Sequence, residues 1–92
     1  MAKKALYLTY IVQCSDGTYY SGITTDMEHR LLQHNGIRKG GAKYTLARKP
    51  VKLIYYEEYD TIQMAMRRER ELKKLQRWEK EQVIQNFKGK LP

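Results

Sequence analysis

Cysteine is almost missing from this chain: Cys14 stands alone, so no internal disulfide can form and nothing demands an oxidising compartment. Histidine is nearly as scarce, and His29 and His34 with one cysteine offer no usual spacing for a structural zinc site. No apolar stretch approaches the roughly 20 residues that cross a bilayer. The opening Met1-Ala2-Lys3-Lys4 has the basic start of a secretory signal, but Tyr7, Thr9 and Gln13 interrupt the apolar run, and no small-residue cleavage pattern follows. A cytoplasmic protein without membrane association or small-molecule cofactor is expected.

Acidic residues are the other shortage. Ten Asp and Glu face eighteen Lys and Arg, a net charge of +8 on 92 residues. Such a surface favours polyanions, because each phosphate neutralised releases condensed counterions from nucleic acid. An anionic membrane would want an amphipathic helix with exposed large apolars. Binding to structural RNA is the plain alternative, and charge alone does not separate it from DNA. The length suits one domain, set at 3–88 with a tail at 89–92. No internal repeat, linker or low-complexity segment interrupts it.

What is present begins with a hairpin. Residues 6–14 are apolar, aromatic and β-branched, Asp16-Gly17 signals a turn, and 18–22 make the second strand. Thr25 and Glu28 have capping-box spacing, which starts a helix near Asp26 that runs to Asn35 and ends at Gly36. Met27, Leu31 and His34 share one stripe, with Arg30 on its edge. Arg30 and His34 are four residues apart and project the same way.

Residues 36–50 read as a loop without an acid. It holds Arg38, Lys39, Lys43, Arg48 and Lys49, with Gly40-Gly41 for flexibility and Tyr44 among the charges. A third strand is expected at 51–56. Asp60 and Gln63 cap a second helix to about 75, and a third covers 77–87, packed by Trp78. The order ββαβαα gives an α+β domain: a small, mostly antiparallel three-stranded sheet covered by helices.

One carboxylate is out of place. Ile62, Ala65, Met66, Leu72 and Leu75 define the core-facing stripe of the second helix, and Glu69 falls inside it. A carboxylate there is costly unless a cation answers it. Arg67, Arg68 and Arg70 are the neighbours that would answer in a purely structural role. The functional role is a metal ligand beside the tyrosines, Arg30 and His34. Tyr7, Tyr19, Tyr55 and Tyr56 are read as packing residues.

Thr9-Tyr10-Ile11, then Tyr20-Ser21-Gly22, then Arg30 and His34, then Glu69 resemble the ordered motifs of the GIY-YIG nuclease superfamily. The likeness covers about 7–87 and is greatest to two branches. One is the small single-domain bacterial group; the other is the nuclease subunit of the eukaryotic endonuclease that cuts branched DNA. The chain departs from the pattern in three places: the glycine opening the first motif is absent, Ser21 replaces a small aliphatic, and Ile23 stands where some members carry lysine. Many members also use a late asparagine, for which Asn86 is the only candidate.

The resemblance implies a metal-dependent endonuclease hydrolysing DNA phosphodiester bonds on branched, single-stranded or damaged DNA, with a place in DNA repair. Tyr10, Tyr20, Arg30, His34 and Glu69 are then the catalytic set. Glu69 would hold a single Mg²⁺ or Mn²⁺, since more converging carboxylates than this chain offers would be needed for two metals. Arg38, Lys39, Lys43, Tyr44, Arg48 and Lys49 are the expected nucleic-acid contacts. The alternatives are a nucleic-acid-binding module that kept the fold with little activity, and a subunit that depends on a targeting protein partner.

Overall fold

The structure, a computed structural model, describes residues 6–87, 89 and 91. The ends of the expected domain, 3 and 88, and residues 90 and 92 of the tail lie outside these residues. The β-forming run becomes β1 (Tyr7–Gln13), and the turn returns the chain as β2 (Tyr19–Thr24). Gly17, with φ of 84°, allows the reversal, and Asp16 ties the turn by accepting from the Thr18 amide and hydroxyl. β3 (Lys52–Tyr59) pairs with the other edge of β1, so the sheet is antiparallel throughout in the order β2-β1-β3.

β1 is the central strand and feeds both faces. Tyr10 and Val12 pack with Leu53, Tyr20, Met27 and Leu31 on one side. Ile11 packs with Tyr55, Leu72, Ile84 and Phe87 on the other. A bulge makes this possible on β3: Ile11 pairs with Tyr55 but Val12 with Leu53, so Ile54 is extra and the strand's two inward residues turn to opposite faces.

Helix α1 (Met27–His34) covers the Tyr10 face. Its N-cap is Asp26, whose carboxylate accepts from the His29 amide, rather than the expected Thr25 and Glu28 box. The expected loop 36–50 contains a one-turn helix, α2 (Lys43–Leu46). α3 (Ile62–Lys74) is capped by Thr61 rather than by Asp60 and Gln63, and α4 (Arg77–Gln85) follows with Gln76 donating its amide to Glu79. The fold is the expected α+β arrangement with one helix more, ββααβαα.

The rotation of α3 corrects the expected stripe. Ala65 and Leu72 are fully buried, whereas Ile62 and Met66 are 43% and 42% exposed. The reason lies on β3. Glu57 points to the α3 side and accepts hydrogen bonds from Tyr55, Tyr59 and, at 2.9 Å, Arg68 Nε. Satisfying that carboxylate turns Arg68 inward between Ala65 and Leu72, leaving Ile62 and Met66 on the flank. Trp78, expected to pack α4, is 57% exposed, with its indole N–H donated to Gln76.

The two stripes make different predictions for truncation. Leu72→Ala should destabilise by about 2–5 kcal/mol, and Met66→Ala by less than about 1 kcal/mol, in denaturant unfolding. Equal losses would restore the stripe read from spacing.

Candidate active site

The site is built where α1 lies over β1 and β2. Tyr10 is fully buried, and its ring reaches across the strand pair over Gly22, its register partner. A Cβ on Gly22 would lie 2.5 Å from the Tyr10 hydroxyl and 2.7 Å from its ring carbon, so glycine is what lets the phenol lie flat there. The ring therefore ends under α1, where one helical turn presents both Arg30 and His34.

His34, the buried residue of α1, places Nε2 at 2.7 Å from the Tyr10 hydroxyl. Arg30 Nε donates to the same hydroxyl at 3.3 Å. Its Nη1 is held at 3.0 Å by Gln33 and at 2.9 Å by the Gly40 carbonyl. The guanidinium is thus fixed by the loop it precedes, and among the described residues no acceptor meets Nη2. Behind His34, Nδ1 lies 2.7 Å from Thr45 Oγ1, a contact supplied by α2 and invisible to periodicity.

Tyr20 stands on β2 with its ring edge-on to His34 at 5.2 Å and stacked on Tyr44 at 6.0 Å. Arg48 covers the Tyr44 ring at 3.8 Å, donates to the Tyr44 carbonyl, and pairs with Asp16 at 3.2 Å. An aromatic row therefore leads from the buried imidazole to the surface, closed by an arginine already neutralised by a carboxylate. Arg38, Lys39, Lys43 and Lys49 are exposed. Among the expected nucleic-acid contacts, Tyr44 and Arg48 adjoin the site and the other four form the basic border.

Glu69 is partly covered, its side chain 23% exposed, and its cation is Lys73 at 3.3 Å rather than Arg67, Arg68 or Arg70. Its charge adds a minor upward push to the Tyr10 phenol. Among the described residues no three His, Cys, Asp or Glu side chains gather as a metal cage. A single carboxylate suits a hard divalent ion that keeps most of its waters and shares the substrate's phosphate, as Mg²⁺ does. Asn86 is the exposed C-cap of α4, and no hydrogen bond links it to the cluster.

Burial dominates the electrostatics. It pushes the Tyr10 phenol up to about 12, against the pull of the Arg30 hydrogen bond and charge. It holds His34 down to about 4, with Arg30 adding to the effect. In the resting protein at neutral pH, the phenol is protonated and the imidazole is neutral.

The family model described as GIY-YIG catalytic domain matches residues 6–82. A UPF0213 protein of Halobacterium salinarum is 47% identical over 79 residues, covering 86% of this chain and 100% of that protein. Another from Streptococcus agalactiae is 46% identical over 89 residues, covering 97% and 98%. A solution NMR structure of an E. faecalis protein matches with a TM-score of 0.61 at 40% identity, covering 92% of this chain and 88% of that one. That of a Bacillus halodurans UPF0213 protein gives 0.56 at 39%, covering 87% and 83%.

The depressed His34 pKa has a measurable sign. Unfolded, the ring takes its proton near 6.5; folded, it waits until about 4. The stability of the neutral buried ring is therefore complete above about pH 6.5 and is lost as pH falls towards 4, at about 1.4 kcal/mol per unit. Thermal unfolding from pH 7 down to 4.5 should show a steeper fall for the parent than for His34→Gln. Parallel curves would remove the buried neutral histidine.

Proposed function

Because the chain belongs to the GIY-YIG catalytic-domain family, a nuclease family, we propose that it is a metal-dependent endonuclease hydrolysing DNA phosphodiester bonds, with branched, single-stranded or damaged DNA as substrate. The observation that carries this reading is the buried Tyr10 hydroxyl held between Arg30 and His34. A tyrosine meant only for packing needs one hydrogen-bond partner; this one has a base on one side and a cation on the other.

The roles follow from the chemistry of each group. The scissile phosphate sits against Arg30, whose Nη2 donates to a non-bridging oxygen while Nε and Nη1 keep the plane fixed. Tyr10 orients the attacking water and takes its proton as its own hydroxyl proton passes to His34 Nε2. A raised phenol and a weakly basic ring make this transfer uphill in the resting protein. An arriving phosphate lowers the barrier: its negative charge favours the imidazolium, and it occupies the Arg30 charge that disfavours it. Tyr20 walls the far side of His34 and helps exclude bulk water. Glu69 is the residue that would hold Mg²⁺ or Mn²⁺, which when bound supplies Lewis-acid neutralisation of phosphate charge.

The basic border supplies affinity. Lys39, Lys43 and Lys49 are exposed and none has a carboxylate ion-pair partner among the described residues, so each is available to a backbone phosphate. Among the described residues no helix is long and apolar enough to cross a membrane.

Labelled duplex, flap and junction DNA incubated with the protein in Mg²⁺, Mn²⁺ or chelator tests the assignment. Cleavage should need the divalent ion. Glu69→Gln should abolish it while leaving DNA binding, and Arg30→Lys, which keeps charge but loses the fork, should slow it about a hundredfold or more. If Arg30→Lys and Tyr10→Phe cut like the parent, the chemistry lies elsewhere. Separately, replacing Lys39, Lys43 and Lys49 together with Ala should flatten log K against log salt by roughly 0.9 per lost phosphate contact. An unchanged slope would place the DNA path off this border.

A further inference from the structure

We propose that Thr45 is a positioning residue: its hydroxyl fixes the ring tautomer of His34 and thereby sets the direction in which the Tyr10 proton leaves. The proposal rests on the reading of Tyr10 and His34 as reacting groups, and it concerns a residue no motif contains.

The argument starts at a carbonyl. Thr45 Oγ1 lies 3.1 Å from the oxygen of Ala42, the N-cap of α2. A carbonyl only accepts, so the single hydroxyl hydrogen of Thr45 is spent there. Toward His34, at 2.7 Å, Oγ1 then has only lone pairs to offer, and Nδ1 must carry the ring hydrogen. A neutral imidazole has one N–H, so Nε2 is bare. The phenol 2.7 Å away accordingly donates to it, and its oxygen keeps a lone pair for Arg30 Nε.

Every hydrogen in this row is therefore placed by the one before it, from Ala42 through Thr45 and His34 to Tyr10. Both His34 and Thr45 are fully buried, and among the described residues no buried side-chain polar atom lacks a partner. Without the Thr45 hydroxyl, an Nδ1–H would point at nothing, which costs a buried donor its desolvation energy. The ring would shift its hydrogen to Nε2. That nitrogen would then donate to Tyr10, and the phenol proton would have no base to go to.

The fold serves this contact. Gly41 lies so close to α1 that a Cβ there would be 2.1 Å from the Gln33 carbonyl oxygen. The chain passes tight against the helix at that point and immediately turns into α2, whose one buried residue is Thr45.

Two variants separate hydroxyl from shape: Thr45→Val removes the acceptor for Nδ1–H at nearly constant volume, and Thr45→Ser keeps it. The first readout needs no activity. Long-range ¹H–¹⁵N correlation of the His34 ring in the free protein should show Nδ1 protonated in the parent and in Thr45→Ser, and Nε2 protonated in Thr45→Val. The second is cleavage of the best DNA substrate. Thr45→Val should lower kcat about a hundredfold at unchanged KM, in the range of a general acid–base contribution, and Thr45→Ser should stay within a few fold of the parent.

An Nε2-protonated ring in the parent overturns the proposal by itself, even if Thr45→Val proves unfolded. So does a Thr45→Val protein with parental ring signals and rate, or a Thr45→Ser protein as slow as Thr45→Val. If the parent cuts no DNA, the nuclease reading fails, while the ring signals still decide what Thr45 does.

Discussion

Everything in this small protein is arranged around a buried hydrogen bond between a strand and a helix, Tyr10 to His34. Burying a phenol and an imidazole is unfavourable unless each has a partner, and here each partners the other. The rest of the architecture removes the remaining debts. Gly22 makes room for the phenol, Arg30 meets its second side, and Thr45 closes the ring's far nitrogen. The two opposite pKa displacements are products of the same burial, so the dry pocket that lets the pair form also separates their proton affinities.

The opposite face of the sheet does quieter work. There, Glu57 gathers Tyr55, Tyr59 and Arg68, and α3 is locked in rotation by a polar clamp as much as by Leu72. That rotation decides where Glu69 stands, because the residue next to Arg68 must fall on the neighbouring flank. A clamp on one side of the sheet thus sets the position of a carboxylate whose charge is felt by a phenol packed on the other. Family membership establishes a nuclease lineage; the Glu57 clamp is read from the side chains of this chain.

Much of the fold was legible because it is periodic. The alternating strand, the Asp16-Gly17 turn and the four-residue interval of Arg30 and His34 each follow from local geometry. What escaped reading is non-local or too short to have a period. The bulge at Ile54 depends on a partner strand, and Arg68 turns inward for a glutamate eleven residues earlier in the chain. Ile62 and Met66 have the spacing of core residues, yet the clamp outweighs them. α2 has four residues, and its one buried side chain is a threonine, which apolar patterning cannot flag. Of the candidate site, the sequence offered the residue types and their order; the hydrogen-bond directions needed Thr45.

In α2, consecutive residues serve different surfaces: Tyr44 looks out to the aromatic row and Arg48, Thr45 looks in to His34. A helix turns about 100° per residue, from 3.6 residues per turn, so inserting or deleting a single residue before Thr45 would swing the hydroxyl off the ring. Surface loops usually drift in length among relatives. Here the stretch between Gly41 and Thr45 is length-locked by its geometry: its exposed side chains can change without moving the hydroxyl, but its residue count cannot.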